Sequence, residues 1–561
     1  MRPTSVRFVG GPKQVSSSAR TEGAAPPMHR RTVSAALALL IATGAAHASD
    51  TALPPQLQDF DAYVEGVRKQ FDVPGIAVAV VKDGQVVLER GFGVREMNKP
   101  AQVDANTLFA IASNTKAFTA ASLSILADEG KLSLDDRVIE HLPWFRMSDA
   151  YVTQEMRVRD LLAHRSGLGL GAGDLLYWPG TDYTTEDVAR RLKDVPLTGS
   201  FRGQYAYDNI LYGVAQLVIE QASGQSYAQF LQQRIFAPLG MRDTRFNSDA
   251  LRPRDNVATG HAKADFKDLQ PAPRMTWHNV SGAGGIYSSV HDMSRWMNMQ
   301  LAGGTFTDAK GTQQRLFSEE RQQEMWSVIT PIPIPKPAVP ELEAAKPNFL
   351  GYGEGWTLSD YRGRKLVSHT GGWPGMVSRV TLVPQQKLGV IVLTNAEVGG
   401  AFNAVTMRVL DAFLDAPRTD WTAAYAAALA KSTDKSDEDW RKHVEARAAN
   451  APPSRPRSAY ARTYRDPWYG DIIVEQAKDG LVMRFTRTPD LVGKMEPWQH
   501  DTFVVRWNER WLNADAFVTF SLDADGKVRE GRMEAISPLT DFSFDFQDLR
   551  LKPVEEEKPK S

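Results

Sequence analysis

Cysteine is absent from all 561 residues. That removes disulfides, thiolate nucleophiles and cysteine-ligated zinc. Charge of one sign is also lacking: 66 basic against 67 acidic residues leave a formal net charge of −1. Nothing in that balance calls for nucleic acid or an anionic membrane as partner. Beyond the N-terminal region, no run approaches the ~20 apolar residues that a membrane-spanning helix needs. The chain has no G-x-S-x-G elbow, no H-E-x-x-H and no Walker A loop, which argues against a standard α/β-hydrolase, a zinc protease and a P-loop enzyme. No metal or other cofactor is expected.

What is present reads as globular and multi-domain: 42% of residues are hydrophobic and 24% charged, over a length that exceeds the usual ~100–200 residues of one domain. Met28-His29-Arg30-Arg31, the apolar run Val33–Ala46 and the A-x-A at Ala46-His47-Ala48 form a secretory signal peptide pattern with cleavage after Ala48. Residues 1–27 read as an extension ahead of a true start at Met28. The expectation is an exported protein, periplasmic or secreted, with no stable membrane insertion after cleavage. Its oligomeric state is left open.

The pattern then predicts a helix over 57–72 and a hairpin of Gly75–Val81 and Gln85–Arg90 around Asp83-Gly84. A matching pair of strand-like runs, 377–383 and 388–394, comes late. Between them lies a mostly helical stretch, with apolar residues at helical spacing over 210–222. Strands from both ends should pair in one sheet, giving an α+β fold in residues 49–418. The Pro-rich 331–347 cannot be a central strand and reads as a surface loop. Residues 419–456 read as a helical connector ending in a Pro-rich linker. Residues 457–555 carry short β-rich runs (471–475, 481–485, 502–506, 517–522 and 542–546) and predict a small all-β barrel.

Three short motifs carry chemistry. Ser113-Asn114-Thr115-Lys116 is an S-x-x-K. Residues three apart share a helix face, so the Lys amine can reach the Ser hydroxyl. A desolvated Lys there has a lowered pKa and can take the serine's proton. Alone this is a weak signal, because Ser432-Thr433-Asp434-Lys435 matches it too. Tyr207-Asp208-Asn209 is a Y-x-N found at no other of the 15 tyrosines. Beside an ammonium, its phenol can be held nearer the anion and relay a proton, and the Asn209 amide can meet a substrate carbonyl or orient the lysine. His369-Thr370-Gly371, followed by Gly372 and Trp373, is an H-T-G before a strand. The Gly372 N–H can join that of Ser113 as an oxyanion hole. Imidazole can supply a titratable charge for a substrate carboxylate. Each motif alone has an ordinary packing explanation. His164, within Leu161–Leu168, is read as structural.

With these motifs in this order, 94 and then 162 residues apart, the sequence resembles the class C β-lactamase, D-Ala-D-Ala carboxypeptidase and D-aminopeptidase family. The likeness covers about residues 57–415. It includes Phe109–Lys116, Leu161–Leu168, Pro238–Met241, Gly282–Ser288 and Tyr352–Trp356. It implies a five-stranded antiparallel sheet with a helical lobe, and a serine acyl-enzyme with Ser113 as nucleophile. It implies Lys116 and Tyr207 as the general-base pair, and a substrate and oxyanion side formed by Asn209, His369, Thr370, Gly371, Gly372 and Trp373. The partner would be a small-molecule or peptide substrate: a D-residue or peptidoglycan-type peptide, or a short acyl ester. Class C β-lactamases carry Lys where this chain has His369, so dedicated β-lactam hydrolysis is the alternative rather than the first reading. A non-catalytic cell-wall-peptide or penicillin binder is the other. The C-terminal module resembles the lipocalin-like domain appended to such hydrolases.

Overall fold

A computed structural model describes residues 53–555. The calls on residues 1–27 and on the leader at 28–48 lie outside the described residues.

Strand β1 (Gly75–Lys82) is apolar at nearly every position because both of its faces are covered. Ile76, Val78 and Val80 point into one core, and Ala77, Ala79 and Val81 into the other. Its sheet also holds β2 (Gln85–Gly93), β3 (Thr330–Pro331), β4 (Leu350–Tyr352), β5 (Thr357–Tyr361), β6 (Arg364–Trp373), β7 (Met376–Val383) and β8 (Leu388–Thr394). The order is β2-β1-β8-β7-β6-β5-β4-β3. As the sequence pattern predicts, the two ends of the region meet: β1 pairs antiparallel with β8 from Ile76↔Thr394 to Lys82↔Leu388. The sheet has eight strands, not the five that the resemblance implies. Five are long, and β5, β4 and β3 extend one edge with five, three and two residues. Pro331 falls on the outermost of these, where a missing N–H is tolerated.

Three helical segments cover one face. Helix α1 (Phe60–Gln70) buries Phe60, Val64 and Val67 at helical spacing. The other face receives α2 (Thr115–Asp128), α3 (Ile210–Ser223) and α4 (Val290–Leu301). Helix α2 is buried from Thr115 to Leu126, so it forms the centre of the helical lobe. Back on the first face lie α5 (Gly399–Phe413) and the start of α6 (Trp421–Ala446). Helix α6 runs 26 residues yet buries only Trp421 and Ala424. It leads through a Pro-containing stretch to the C-terminal strands.

Those strands form an eight-stranded antiparallel barrel between Arg462 and Pro553, nearly closed by the bridge Gly531↔Leu551. Aromatic rings fill the lumen: Phe485 stands 5.6 Å from Trp507, Trp507 is 5.9 Å from Phe546, and Tyr460 is 5.3 Å from Phe520. This is a packed core. One strand call fails. Residues 542–546 form no strand but a turn, with Asp541 accepting from the Ser543 N–H at 2.8 Å. Their alternation serves two-sided docking against the first part of the chain rather than a ladder.

Trp421 anchors α6. It is fully buried and its indole N–H donates to Asp411 at 2.7 Å. Trp421→Ala should cost about 3–5 kcal/mol of stability, read as a lowered urea midpoint, and Trp421→Phe less than half of that. Equal midpoints for wild type and Trp421→Ala would rule this anchor out.

Candidate active site

The Ser113 position is built by a tight turn. Ala112 adopts a left-handed conformation (φ 47°), unusual for a residue with a Cβ, and opens the short 3₁₀ turn Ala112–Asn114 leading into α2. Ser378 on β7 fastens that turn to the sheet, accepting from Asn114 Nδ2 at 2.8 Å and donating to the Ile111 carbonyl at 2.8 Å. Ser113 is left half-buried at the helix entrance.

One turn on, Lys116 has no exposed surface. Its Nζ donates to Ser113 Oγ (3.1 Å), Asn209 Oδ1 (2.7 Å) and the Ala283 carbonyl (3.0 Å). All three ammonium hydrogens therefore have acceptors. Burial lowers its pKa to about 7, against the pull of Asp174 and Asp208. A substantial fraction is then neutral amine near pH 7, placed to take the Ser113 proton.

Tyr207 and Asn209 arrive on the segment that enters α3. The Tyr207 ring lies 4.9 Å from Lys116 Nζ, and its phenol hydrogen-bonds with Ser113. Burial raises that phenol well above 10 despite the Ser113 contact. Here the structure corrects the sequence argument: Tyr207 is a neutral phenol, able to pass a proton but not held near its anion. His164 stands behind it as a wedge, 4.2 Å from Tyr207 and 4.4 Å from Tyr352. Its Nδ1 accepts from the Asp208 N–H at 3.2 Å, which fits the structural role read from the sequence.

Strand β6 forms the opposite wall. Its partner β5 stops at Ser368, so 369–373 have one edge free of a strand and facing the Ser113 turn. Gly371 is required there, because a Cβ would lie 2.2 Å from the Ile111 carbonyl oxygen. At Gly372 a Cβ would meet nothing within 4 Å, so that side of the strand is open. Thr370 is exposed and Trp373 is buried, the latter lining a cleft of about 410 Å³ with Gly372. His369 departs from expectation. It is buried, with Nε2 2.8 Å from the Tyr352 hydroxyl and Nδ1 2.6 Å from the Thr370 carbonyl. Burial, with Lys116 nearby, pushes its pKa down to about 3. It is a neutral link holding Tyr352 to β6, and supplies no cation for a substrate carboxylate.

The three motifs thus converge, and the structure adds residues that the sequence reading passed over. Asp174 accepts from Asn209 Nδ2 at 2.8 Å, and Asp208 accepts from Ser166 at 3.1 Å. Burial raises each carboxyl to about 7. Asp208 lies inside the Y-x-N motif, whereas Asp174 follows a Gly-rich stretch with no signature of its own. Among the described residues, no cluster of His, Asp and Glu is arranged to hold a metal ion.

Residues 60–413 match the Beta-lactamase family, and residues 446–553 match a domain of unknown function, DUF3471. The chain belongs to the Beta-lactamase family and is a serine hydrolase of that family. It is 29% identical over 473 residues to the unguisins hydrolase ungD of Aspergillus violaceofuscus, covering 79% of this chain and 80% of that one. It is 26% identical over 352 residues to protein flp of Staphylococcus aureus, covering 60% of this chain and 63% of that protein. In fold it is similar to the octameric penicillin-binding protein homologue of Pyrococcus abyssi, with a TM-score of 0.56, 21% identity, and 88% of this chain and 99% of that one covered. It is likewise similar to the D-amino acid amidase of Ochrobactrum anthropi SV3, with a TM-score of 0.51, 24% identity, and 64% and 98% covered.

Two outcomes follow from this geometry. Because Lys116 works as a base only when neutral, acylation of Ser113 by a neutral fluorophosphonate should speed up as pH rises through about 7. A rate independent of pH between 5.5 and 8.5 would remove Lys116 as the base. For the glycines, Gly371→Ala should abolish activity and lower the thermal midpoint. Gly372→Ala should keep the midpoint but raise KM for bulky acyl groups. Identical behaviour of the two variants would contradict the placement of the open side at Gly372.

Proposed function

We propose that this protein is an exported hydrolase that cleaves amide or ester bonds of small substrates through an acyl-enzyme on Ser113. The observation that carries the reading is Lys116: a fully buried amine hydrogen-bonded to both Ser113 and Asn209. As Ser113 Oγ attacks the carbonyl carbon, its proton passes to Lys116. The carbonyl oxygen gains negative charge, which the N–H groups of Ser113 and Gly372 stabilise. The tetrahedral species then collapses, breaking the bond to the amine or alcohol. The neutral phenol of Tyr207 hands that leaving group a proton and regains one from Lys116. Water repeats the sequence and releases the acid.

The cleft beside Gly372 favours substrates with a free amine, such as D-aminoacyl amides or peptidoglycan-type peptides. Two carboxyl groups, Glu397 and Asp541, share its lining with Trp178, Trp373, Trp511 and Phe544. Burial raises Glu397 to about 8, and Asp541 adds to that. An ammonium entering among these aromatic faces would draw both acids toward their charged forms, which would offset its own loss of water. The amidase similar in fold acts, by its name, on D-amino acid amides, which supports the same substrate class. Short acyl esters fit the same chemistry. A neutral His369 in place of a lysine weighs against a dedicated β-lactamase, and the complete constellation weighs against a non-catalytic binder. The A-x-A site at Ala46–Ala48 supports export.

The test is a panel of D-aminoacyl amides, D-Ala-D-Ala peptides, p-nitrophenyl esters and a chromogenic cephalosporin. Ser113→Ala should abolish turnover of all that react. D-aminoacyl amides with a free amine should outrun their N-acetylated forms by at least tenfold in kcat/KM. Equal rates for the two forms, or a cephalosporin as best substrate, would defeat the amine reading. Retained esterase activity in Ser113→Ala would defeat the nucleophile.

A further inference from the structure

The turn Asp541–Phe546 of the C-terminal barrel reaches the first part of the chain beside the catalytic residues. Asp545 accepts from the Gly173 N–H at 2.6 Å and from the Leu175 N–H at 3.1 Å. It thus grips the backbone on both sides of Asp174. Ser543 donates to Asp174 Oδ2 at 2.9 Å. Phe542 sets its ring edge-to-face on Tyr207, with centroids 5.9 Å apart. The approach is close enough to demand glycine at 171, where φ is 67° and a Cβ would stand 2.7 Å from the Phe542 carbonyl oxygen.

The Oδ2 atom that accepts from Ser543 also accepts from Asn209 Nδ2 at 2.8 Å. An amide has two unlike ends. Only the oxygen end can accept from the Lys116 ammonium, and Asn209 Oδ1 does so at 2.7 Å. With the amide turned over, two donors would face each other at that distance, and an oxygen would face the Asp174 carboxyl. Asp174 therefore fixes which end of Asn209 meets Lys116. Among the described residues, Asp174 has no charged partner in contact. The groups facing it are Tyr177, Asn209, Ser543 and, at longer range, Lys116, with the Asp545 carboxyl across the backbone.

We infer that Asp174 is a positioning residue that orients Asn209 toward Lys116, and that the barrel completes the catalytic centre by holding Asp174 through Ser543 and Asp545. The inference rests on the assignment of Ser113 and Lys116 made above. It gives the C-terminal module a role in the reaction that involves no ligand of its own.

The test uses the full chain, steady-state kinetics and pH profiles of the variants Ser543→Ala, Asp174→Asn, Asp174→Ala and the double variant Ser543→Ala/Asp174→Ala. Ser543→Ala removes one buried hydrogen bond, and kcat should fall about tenfold with KM unchanged. Losing that bond disfavours the Asp174 carboxylate, whose charge raises the Lys116 pKa, so the acid limb of kcat/KM should move to lower pH. Asp174→Asn should move the limb the same way. It keeps an acceptor for Asn209 and should retain more activity than Asp174→Ala. In the Asp174→Ala background, Ser543→Ala should have no further effect. Additive losses in the double variant would overturn the inference. So would wild-type kcat and an unmoved limb in both Ser543→Ala and Asp174→Asn, which are near-isosteric and should fold. Activity surviving in Ser113→Ala would instead strike the underlying assignment.

Discussion

The buried ammonium of Lys116 is the constraint around which the rest of the structure is arranged. A cation without solvent is costly unless every hydrogen finds an acceptor and some negative charge stands nearby. Here the acceptors come from three parts of the chain: Ser113 on the turn leading into α2, the Asn209 side chain and the Ala283 carbonyl. Asp174 and Asp208 supply the compensating field, and neither touches the amine. The compensation is incomplete, which leaves the amine close to losing its proton at neutral pH. Contact with either carboxylate would turn the same lysine into a permanent cation and end its use as a base.

The opposite wall obeys a steric constraint rather than an electrostatic one. Strand β6 runs close against the turn that carries Ser113. Gly371 permits that approach and Gly372 keeps the front clear. The buried His369–Tyr352 hydrogen bond ties this strand to β4. The H-T-G motif is thus a packing and clearance motif here. Its histidine acts by being neutral and tied at both nitrogens.

Much of this was legible in the sequence. The outer hairpins, the α6 connector and the convergence of Ser113, Lys116, Tyr207 and Asn209 follow from period, turn residues and motif order. What stayed hidden has physical reasons. Strand Val528–Ala535 sets buried Val528, Gly531 and Met533 among charged residues, so it carries little apolar signal. The short strands β3 and β4 are too brief for any period to show. The protonation states of Tyr207 and His369 depend on burial, which spacing does not encode. Asp174 and Ser543 lie 369 residues apart, and nothing local to either one marks the contact.

That last contact bears on why a filled barrel should accompany a hydrolase at all. With its lumen occupied by Phe485, Trp507 and Phe546, this module acts through its exterior. Its exterior reaches the active site by one turn, in which two successive pairs of side chains take two tasks. Phe542 and Ser543 address Tyr207 and Asp174. Phe544 and Asp545 address the cleft wall and the 173–175 backbone. A barrel is a stiff base for such a turn, since closure removes the edge along which a sheet flexes or mispairs. Other barrel contacts keep the base from shifting: Tyr183 donates to the Tyr469 carbonyl at 2.5 Å, and Arg191 to that of Trp468 at 2.8 Å. The orientation of one amide, and through it the basicity of one lysine, then depends on a module that contributes no side chain to the reacting atoms.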